Sequence, residues 1–431
     1  MRTIPFVEVF SVTFAPYFLF AQPFAAAQAP HQAAMTINQA VEEAVRNNPG
    51  LLAERLGISV AETGVVTAGL RPNPVASYAA DYVGHGTTLN QLQNTSPPDF
   101  SLRVDYPWER GHKRELRLDA AAYQRGIAET RVLDFIRRLR LDVMLGCIDL
   151  MEAKARLALA TDSLRSLDGI VSLNETRLRA GAIAPLELTR SRVAMLQFRA
   201  SVKSAELAVT TAHSRLQTLL GRKAADPLVD IDEPLHAPLP QNSPDLAALR
   251  AAAIASRPDI RATQLAQSRT QADLRLQIAQ GKVDYMFGSQ YHVTQGLTGP
   301  VNSVGFFLSV PIPVYNRNQG EIARARTEYL QIVKSLEALE AQVAGEVTTA
   351  YQEFESSRQL VADIERDLIK PSEDARDTTR YVYQAGASSL MEVLDAQRAF
   401  NETMSTYYGA QADFRRASVR LSSVVGQEVI P

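Results

Sequence analysis

Residues 100–107, FSLRVDYP, alternate apolar and polar almost without error, putting Phe100, Leu102, Val104 and Tyr106 on one side of an extended chain and Ser101, Arg103 and Asp105 on the other. Three further stretches follow the same two-residue period with less purity. Residues 75–83 set Tyr78, Ala80 and Tyr82 opposite Ser77 and Asp81; residues 283–293 set Val283, Tyr285, Phe287, Tyr291 and Val293 opposite Asp284, Gln290 and His292; residues 303–311 set Val304, Phe306, Leu308 and Val310 opposite Ser303 and Ser309. With a strand at 99–107, this predicts four strands in two hairpins. Each has the roughly nine to eleven residues that span a bilayer, and tyrosines fall near the ends, where an aromatic girdle sits. The joining loops, GHGTTLNQLQNTSPP and TQGLTGPVN, are polar and turn-forming.

Everything between the hairpins reads as helix, and the pattern is written twice. NNPGLLAERLGISVAETG (47–64) can be laid on SRPDIRATQLAQSRTQAD (256–273), SLRVDYPWERGHKREL (101–116) on FLSVPIPVYNRNQGEI (307–322), and AGAIAPLEL (180–188) on AGASSLMEV (385–393). Their order and spacing survive, so two tandem copies are expected. Each copy predicts a short helix, capped by Thr36 with Gln39 three residues on, or by Ser243 with Pro244 at the first helical position. A break at Asn48-Pro49 or Arg257-Pro258 starts a second helix of about twenty residues. After the two strands come a very long helix, a tip at Gly181 or Gly386, and a return helix ending near Gly221 or Gly426.

From Glu115 to Leu178 the long helix would span close to 100 Å at about 1.5 Å per residue. The return helix, Leu186 to Leu220, covers about half of that, and the second helix, stacked end to end on it, would supply the rest. Leu157, Leu164, Val171 and Leu178 at seven-residue steps, with Leu167 between them, predict coiled-coil packing. The expected organisation is a signal peptide over 1–29, a first repeat over 30–226 with its tip near 181, a proline-rich linker over 227–244 packed along a surface, and a second repeat over 245–431 with its tip near 386. The signal is read from Arg2, an apolar stretch from Phe10 to Ala21 and small residues at Ala25-Ala26-Ala27, with cleavage between Ala21 and Ala29. No cysteine follows that stretch, so no lipid anchor is expected on the mature N-terminus.

Composition narrows the function. The 431 residues carry a formal net charge of -2, which argues against a nucleic-acid partner. One cysteine, Cys147, gives neither a disulfide framework nor a thiolate metal cluster. His31, His85, His112, His213, His236 and His292 are scattered without ligand spacing, and neither a phosphate-cradling loop nor a nucleophile elbow appears. No enzymatic activity, cofactor or metal site is therefore expected. Apart from the N-terminus no run reaches 18 apolar residues, so no membrane-spanning helix is expected, and the strands must carry any lipid contact. Hydrocarbon tolerates only helices or closed barrels. Four strands cannot close; two, three or four copies would give eight, twelve or sixteen, and a conducting pore points to twelve or more.

The duplicated plan, with QAGASSLMEVLDAQRAFNE at one tip and RAGAIAPLELTRSRVAML at the other, resembles the TolC-like outer-membrane efflux family over essentially all of the chain after the signal. LSVPIPVYNRNQGEIARA and YPWERGHKRELR look most like its CzcC-type heavy-metal branch. The resemblance implies a mainly α fold with a small β part: long coiled-coil helical hairpins plus four transmembrane strands per chain, joined in a trimeric α/β-barrel duct through the outer membrane and periplasm of a Gram-negative cell. It implies a periplasmic adaptor and an inner-membrane RND-type pump as partners, with divalent heavy-metal cations as the expected cargo. Members of the metal branch often carry an N-terminal lipid on cysteine, and this sequence departs from that pattern.

Carried over residue by residue, Glu392 and Asp395 match acids that line the closed periplasmic aperture, and Glu187 matches a position placed near the tyrosine equivalent to Tyr383 in a closing contact. Three copies of a carboxylate around one axis would attract cations. Glu392, three residues after Ser389, and Glu187, beside Pro185, also suit first-turn acids satisfying amide donors and the helix dipole. Gly181 and Gly386 suit tight tip turns, where the pump partners would meet the duct. Arg103 and Asp105, on the inner barrel wall, would set pore polarity or pair with neighbours. Two other functions fit less well: a duct for drugs or type I protein secretion, and a soluble periplasmic coiled-coil adaptor or scaffold.

Overall fold

The computed structural model describes residues 33–81, 99–240, 243–296 and 299–429. The expected signal peptide, Tyr82 and the loop over 84–98 lie outside the described residues. The described elements run β1 (Ala33–Met35), α1 (Ile37–Asn47), α2 (Pro49–Gly69), β2 (Val75–Asp81), β3 (Asp99–Trp108), α3 (Lys113–Arg179), α4 (Pro185–Leu220), β4 (Val229–Ile231), α5 (Leu246–Ser256), α6 (Pro258–Gln280), β5 (Tyr285–Gly296), β6 (Gly299–Ser309), α7 (Gln319–Asp367), α8 (Ile369–Gln384) and α9 (Leu390–Val425). The chain is mostly helical with a small sheet part.

Helix α1 starts as expected. The Gln39 amide donates to the Thr36 hydroxyl at 3.2 Å and the Thr36 amide to the Gln39 side chain at 2.9 Å. Asn48 cannot stay helical before Pro49, so it ends α1 and caps α2, accepting from the Leu51 amide at 3.1 Å. In the second copy the cap is Asp245, two residues beyond the expected Ser243. Its carboxylate takes the Ala247 and Ala248 amides at 3.3 and 3.0 Å, two donors where a hydroxyl would take one, while Ser243 donates to Glu355 instead.

The 67 residues of α3 make a rod of roughly 100 Å. Two shorter helices match it. Where α4 ends, Gly221 sits at φ +75° so close to the start of α2 that a methyl group there would come within 2.5 Å of the Asn47 carbonyl oxygen, and Asn48 donates across the joint to Leu219 O at 2.9 Å. The second copy repeats the joint between α9 and α6: Gly426 is at φ +81° and the Ser256 hydroxyl donates to Val425 O at 2.6 Å. Beside this joint the buried Arg257 holds Asp259 and Glu346, each at 2.6 Å.

Three expectations are corrected. The long helix of the second copy is not continuous: it breaks at Leu368, between α7 and α8, because Pro371 has no amide for the Asp367 carbonyl and its ring crowds that oxygen. The buried seam of α3 near the tip is Ser163, Leu167, Ile170 and Asn174, a 3.5-residue stripe offset from the expected one; of the expected residues only Leu167 and Val171 are buried, with Leu157, Leu164 and Leu178 partly open. The stripe is shifted because α3 is packed from two sides, by α4 and by α9. Finally, the proline-rich linker does more than follow a surface. Its Val229 and Ile231 enter the first-copy core beside Leu150, Leu216 and Leu220, and β4 pairs in parallel with β1, Ala33 opposite Val229.

Strands β2, β3, β5 and β6 form one antiparallel sheet in that order. Both strands of the second hairpin sit nearer their turn than expected. Pro311 and Pro313 cannot donate to a ladder, which ends β6 at Ser309. Asp284 is taken up before β5 begins, accepting from the Arg110 amide and from Lys113 Nζ, both at 2.8 Å. The register places Tyr78 opposite Leu102, Leu102 opposite Tyr291 and Tyr291 opposite Val304, so one face carries an apolar row across all four strands. On that face Phe306 is 84% exposed and Leu308 62%. Among the described residues, β2 and β6 each keep one unpaired edge.

Candidate functional site at the helical tips

The far ends of the two long hairpins are built alike. At the first tip the Ala182 amide reaches back to Arg177 O at 2.8 Å and the Gly181 amide to Leu178 O at 3.0 Å; at the second, Ala387 reaches Val382 O and Gly386 reaches Tyr383 O, both at 3.0 Å. This pair of bonds ends a helix only with its penultimate residue in the left-handed region, and Gly181 and Gly386 sit there at φ +73° and +84°. Their role in the turns follows directly from this geometry.

Glu392 is committed to its own helix. It accepts from the Ser389 amide at 3.1 Å and from the Ser388 hydroxyl, and its amide donates to Ser389 Oγ at 3.3 Å. The Ser388 hydroxyl first, and the Ser389 amide second, hold this solvent-exposed carboxyl below the usual glutamate range, so it stays charged. One turn on, Asp395 is exposed and accepts from Arg398 at 3.3 Å. Glu187 lies half-exposed in the first turn of α4.

Tyr383 is buried, and within the chain the structure does not bring it to Glu187. Its hydroxyl donates to Asn174 Oδ1 at 2.6 Å, its ring lies 5.1 Å from the Arg177 guanidinium carbon, and Arg177 Nη2 donates to Tyr383 O at 3.0 Å and Gln384 O at 2.9 Å. Two residues of the first-copy rod thus clasp the end of α8 from the second copy. Sequence reasoning missed both, although an asparagine in step with Leu167 and Ile170 was a visible signal. The surrounding core is Leu167, Ile170, Ala194, Leu390 and Leu394.

At the other end of the rods Arg103 and Asp105 share the polar face of β3 and pair with each other at 2.8 Å. Among the described residues no three His, Cys, Asp or Glu side chains gather as a metal-holding group. The Cys147 thiol is buried, and burial pushes its pKa up to about 12, so it stays protonated and unreactive.

Known proteins resemble the whole of this arrangement. A family profile described as "Outer membrane efflux protein" matches residues 40–222 and again 249–427. The cobalt-zinc-cadmium resistance protein CzcC of Cupriavidus metallidurans is 22% identical over 410 residues, covering 92% of each chain, and nodulation protein T of Rhizobium leguminosarum bv. trifolii is 22% identical over 88% of this chain and 82% of its own length. A crystal structure of CusC superposes with a TM-score of 0.75 at 19% identity, covering 94% of this chain and 96% of that one.

Proposed function

This chain belongs to the outer membrane efflux protein family and is an outer-membrane channel component of efflux, and from that premise we propose that three copies close one passive, gated duct for divalent heavy-metal cations. The observation that carries this reading is the open sheet. Four strands with an apolar face and two unpaired edges cannot stay single in water or in lipid, whereas sister copies satisfy both edges by continuing the ladder. Twelve strands then enclose a pore wide enough to conduct. The helices follow the same logic: α3 is covered on both sides within the chain, while the outward face of α2 leaves Leu56 66% and Val60 71% exposed, ready for the neighbouring copy.

In this duct the rods cross the periplasm and the tips at Gly181 and Gly386 meet an adaptor and an inner-membrane pump. Energy comes from the pump; the duct supplies a path and an aperture. Glu392 and Asp395 lie next to one tip, and with Glu187 near the other they would bring carboxylate rings towards the axis, where they concentrate cations and repel anions. The likeness to a cobalt-zinc-cadmium resistance protein over nearly the full length supports metal as the cargo. A soluble adaptor or scaffold would not need an apolar face on four strands, which weighs against that alternative.

Neutralising both acids with Glu392→Gln and Asp395→Asn should lower cation selectivity and alter conductance in planar bilayers. It should also cost cobalt, zinc or cadmium resistance in a strain relying on this duct, and leave drug resistance unchanged. Currents identical to the parent would reduce the two acids to helix caps, and loss of drug resistance alone would assign the duct to organic cargo.

A further inference from the structure

Apart from the imidazole of His292, the polar face of the four-stranded sheet carries one aromatic ring among the described residues, Phe307, which stays 40% exposed beside Arg103. The Arg103 guanidinium carbon lies 4.7 Å from its centroid, and the same guanidinium pairs with Asp105, two residues along β3. Residues i and i+2 of a strand stand side by side and normally point away from the sheet. Here both must lie flat, which needs room on the neighbouring strands. The register supplies it, with Gly288 opposite both Asp105 and Phe307, and Gly305 opposite Gln290. A methyl group on Gly288 would overlap Asp105 Oδ1 and stand 3.4 Å from Arg103 Nη2; one on Gly305 would stand 3.3 Å from the Phe307 ring. Neither glycine has a backbone that L side chains avoid, so close approach is what they provide at the cost of weaker strands.

We propose that Arg103, Asp105 and Phe307, bedded on Gly288 and Gly305, form a self-neutralised plate that keeps a ring of guanidinium charge out of the pore and so fixes the cation preference of the barrel. The inference rests on reading the polar face as the pore lining. The other titratable groups on that face among the described residues are Asp81, Asp99 and His292, with Asp99 in contact with His292. With Arg103 and Asp105 cancelling, the wall keeps the negative sign of Asp81, with Asp99 held against His292, repeated in every copy. An unpaired Arg103 would offset much of it.

The test is block of single reconstituted channels by hexamminecobalt(III), a trivalent cation that cannot shed its ligands. Added on the barrel side, it reads wall charge without crossing the tip aperture. Asp105→Asn and Gly288→Ala, which free the guanidinium, should weaken block by about twofold or more, since a ring of like charges acts at short range. Arg103→Gln should strengthen block, and the double variant Arg103→Gln/Asp105→Asn should return close to the parent. Asp105→Asn and Arg103→Gln keep side-chain size and decide the matter if Gly288→Ala fails to assemble. Block unmoved by both, or a double variant no nearer the parent than its singles, overturns the plate while leaving the duct standing. A parent chain that forms no channel at all overturns the duct itself.

Discussion

Replacing Arg177 by alanine and Tyr383 by phenylalanine together should make the closed duct leak, with single-channel conductance rising severalfold and sensitivity to large antibiotics increasing in cells. The clasp they form is the polar link between the first-copy rod and the end of α8 next to the second tip. Hydrogen bonds from a charged donor contribute about 1.5–3 kcal/mol and a neutral one about 1 kcal/mol. Losing roughly 3 kcal/mol per chain moves a two-state equilibrium on the order of a hundredfold towards the loosened tip. The phenylalanine keeps the ring in its apolar pocket, so the core of Leu167, Ile170 and Leu390 should survive. Helical content and assembly unchanged with conductance also unchanged would show the clasp to be passive packing.

The second large effect is expected at Arg257. This guanidinium is almost wholly buried where α9 meets α6, and it holds Asp259 and Glu346. Burial alone would push both carboxyls up, but the hydrogen bonds and charge of Arg257 outweigh it for Asp259, and those of Gln342 and Arg257 outweigh it for Glu346, so both lie below the usual carboxylate range. The sign follows. Carboxyls depressed by folding add stability above their unfolded values, and that stability is lost as pH falls through the depressed ones, in strong acid. Arg257→Ala should cost about 3 kcal/mol at neutral pH, the low end for breaking a buried pair, because both carboxylates keep some water. Without the cation, burial is opposed only by the Arg137 charge and Ile260 amide at Asp259 and by Gln342 at Glu346, and protonating the acids relieves the variant. The gap from the parent, measured as thermal dissociation of the assembly, should therefore narrow as pH drops below about 4, near the ordinary carboxylate range. A gap independent of pH would mean that Arg257 acts through packing.

Much of the fold was legible because its signals are local. Proline after Asn48 and Arg257, glycine at both tips, and strict alternation at 100–107 each act within a few residues, and the elements fall within a few positions of where those signals put them. Sister signals repeated some 205 to 209 residues apart made each reading independent support for the other. What stayed hidden depends on distance. The β1–β4 pair joins three-residue strands nearly two hundred positions apart, too short to show any period. The α3 seam was misplaced because leucine spacing alone does not say how many neighbours a rod has; α9 turns Ser163 inward to Asn401 and α8 does the same for Asn174. The break at Leu368 was within reach, since Pro371 stood in plain view inside a helical pattern. At the tip, Gly181, Gly386 and the cap at Glu392 were readable from motif, whereas the clasp on Tyr383 needed two copies folded against each other.

The mass of the assembly extracted from outer membranes in detergent tests most directly whether sister chains complete the wall. Native mass spectrometry is expected to find three chains together, separating into one only on heating. A single chain, monodisperse in buffer without detergent while Phe306 and Leu308 face water, would contradict it.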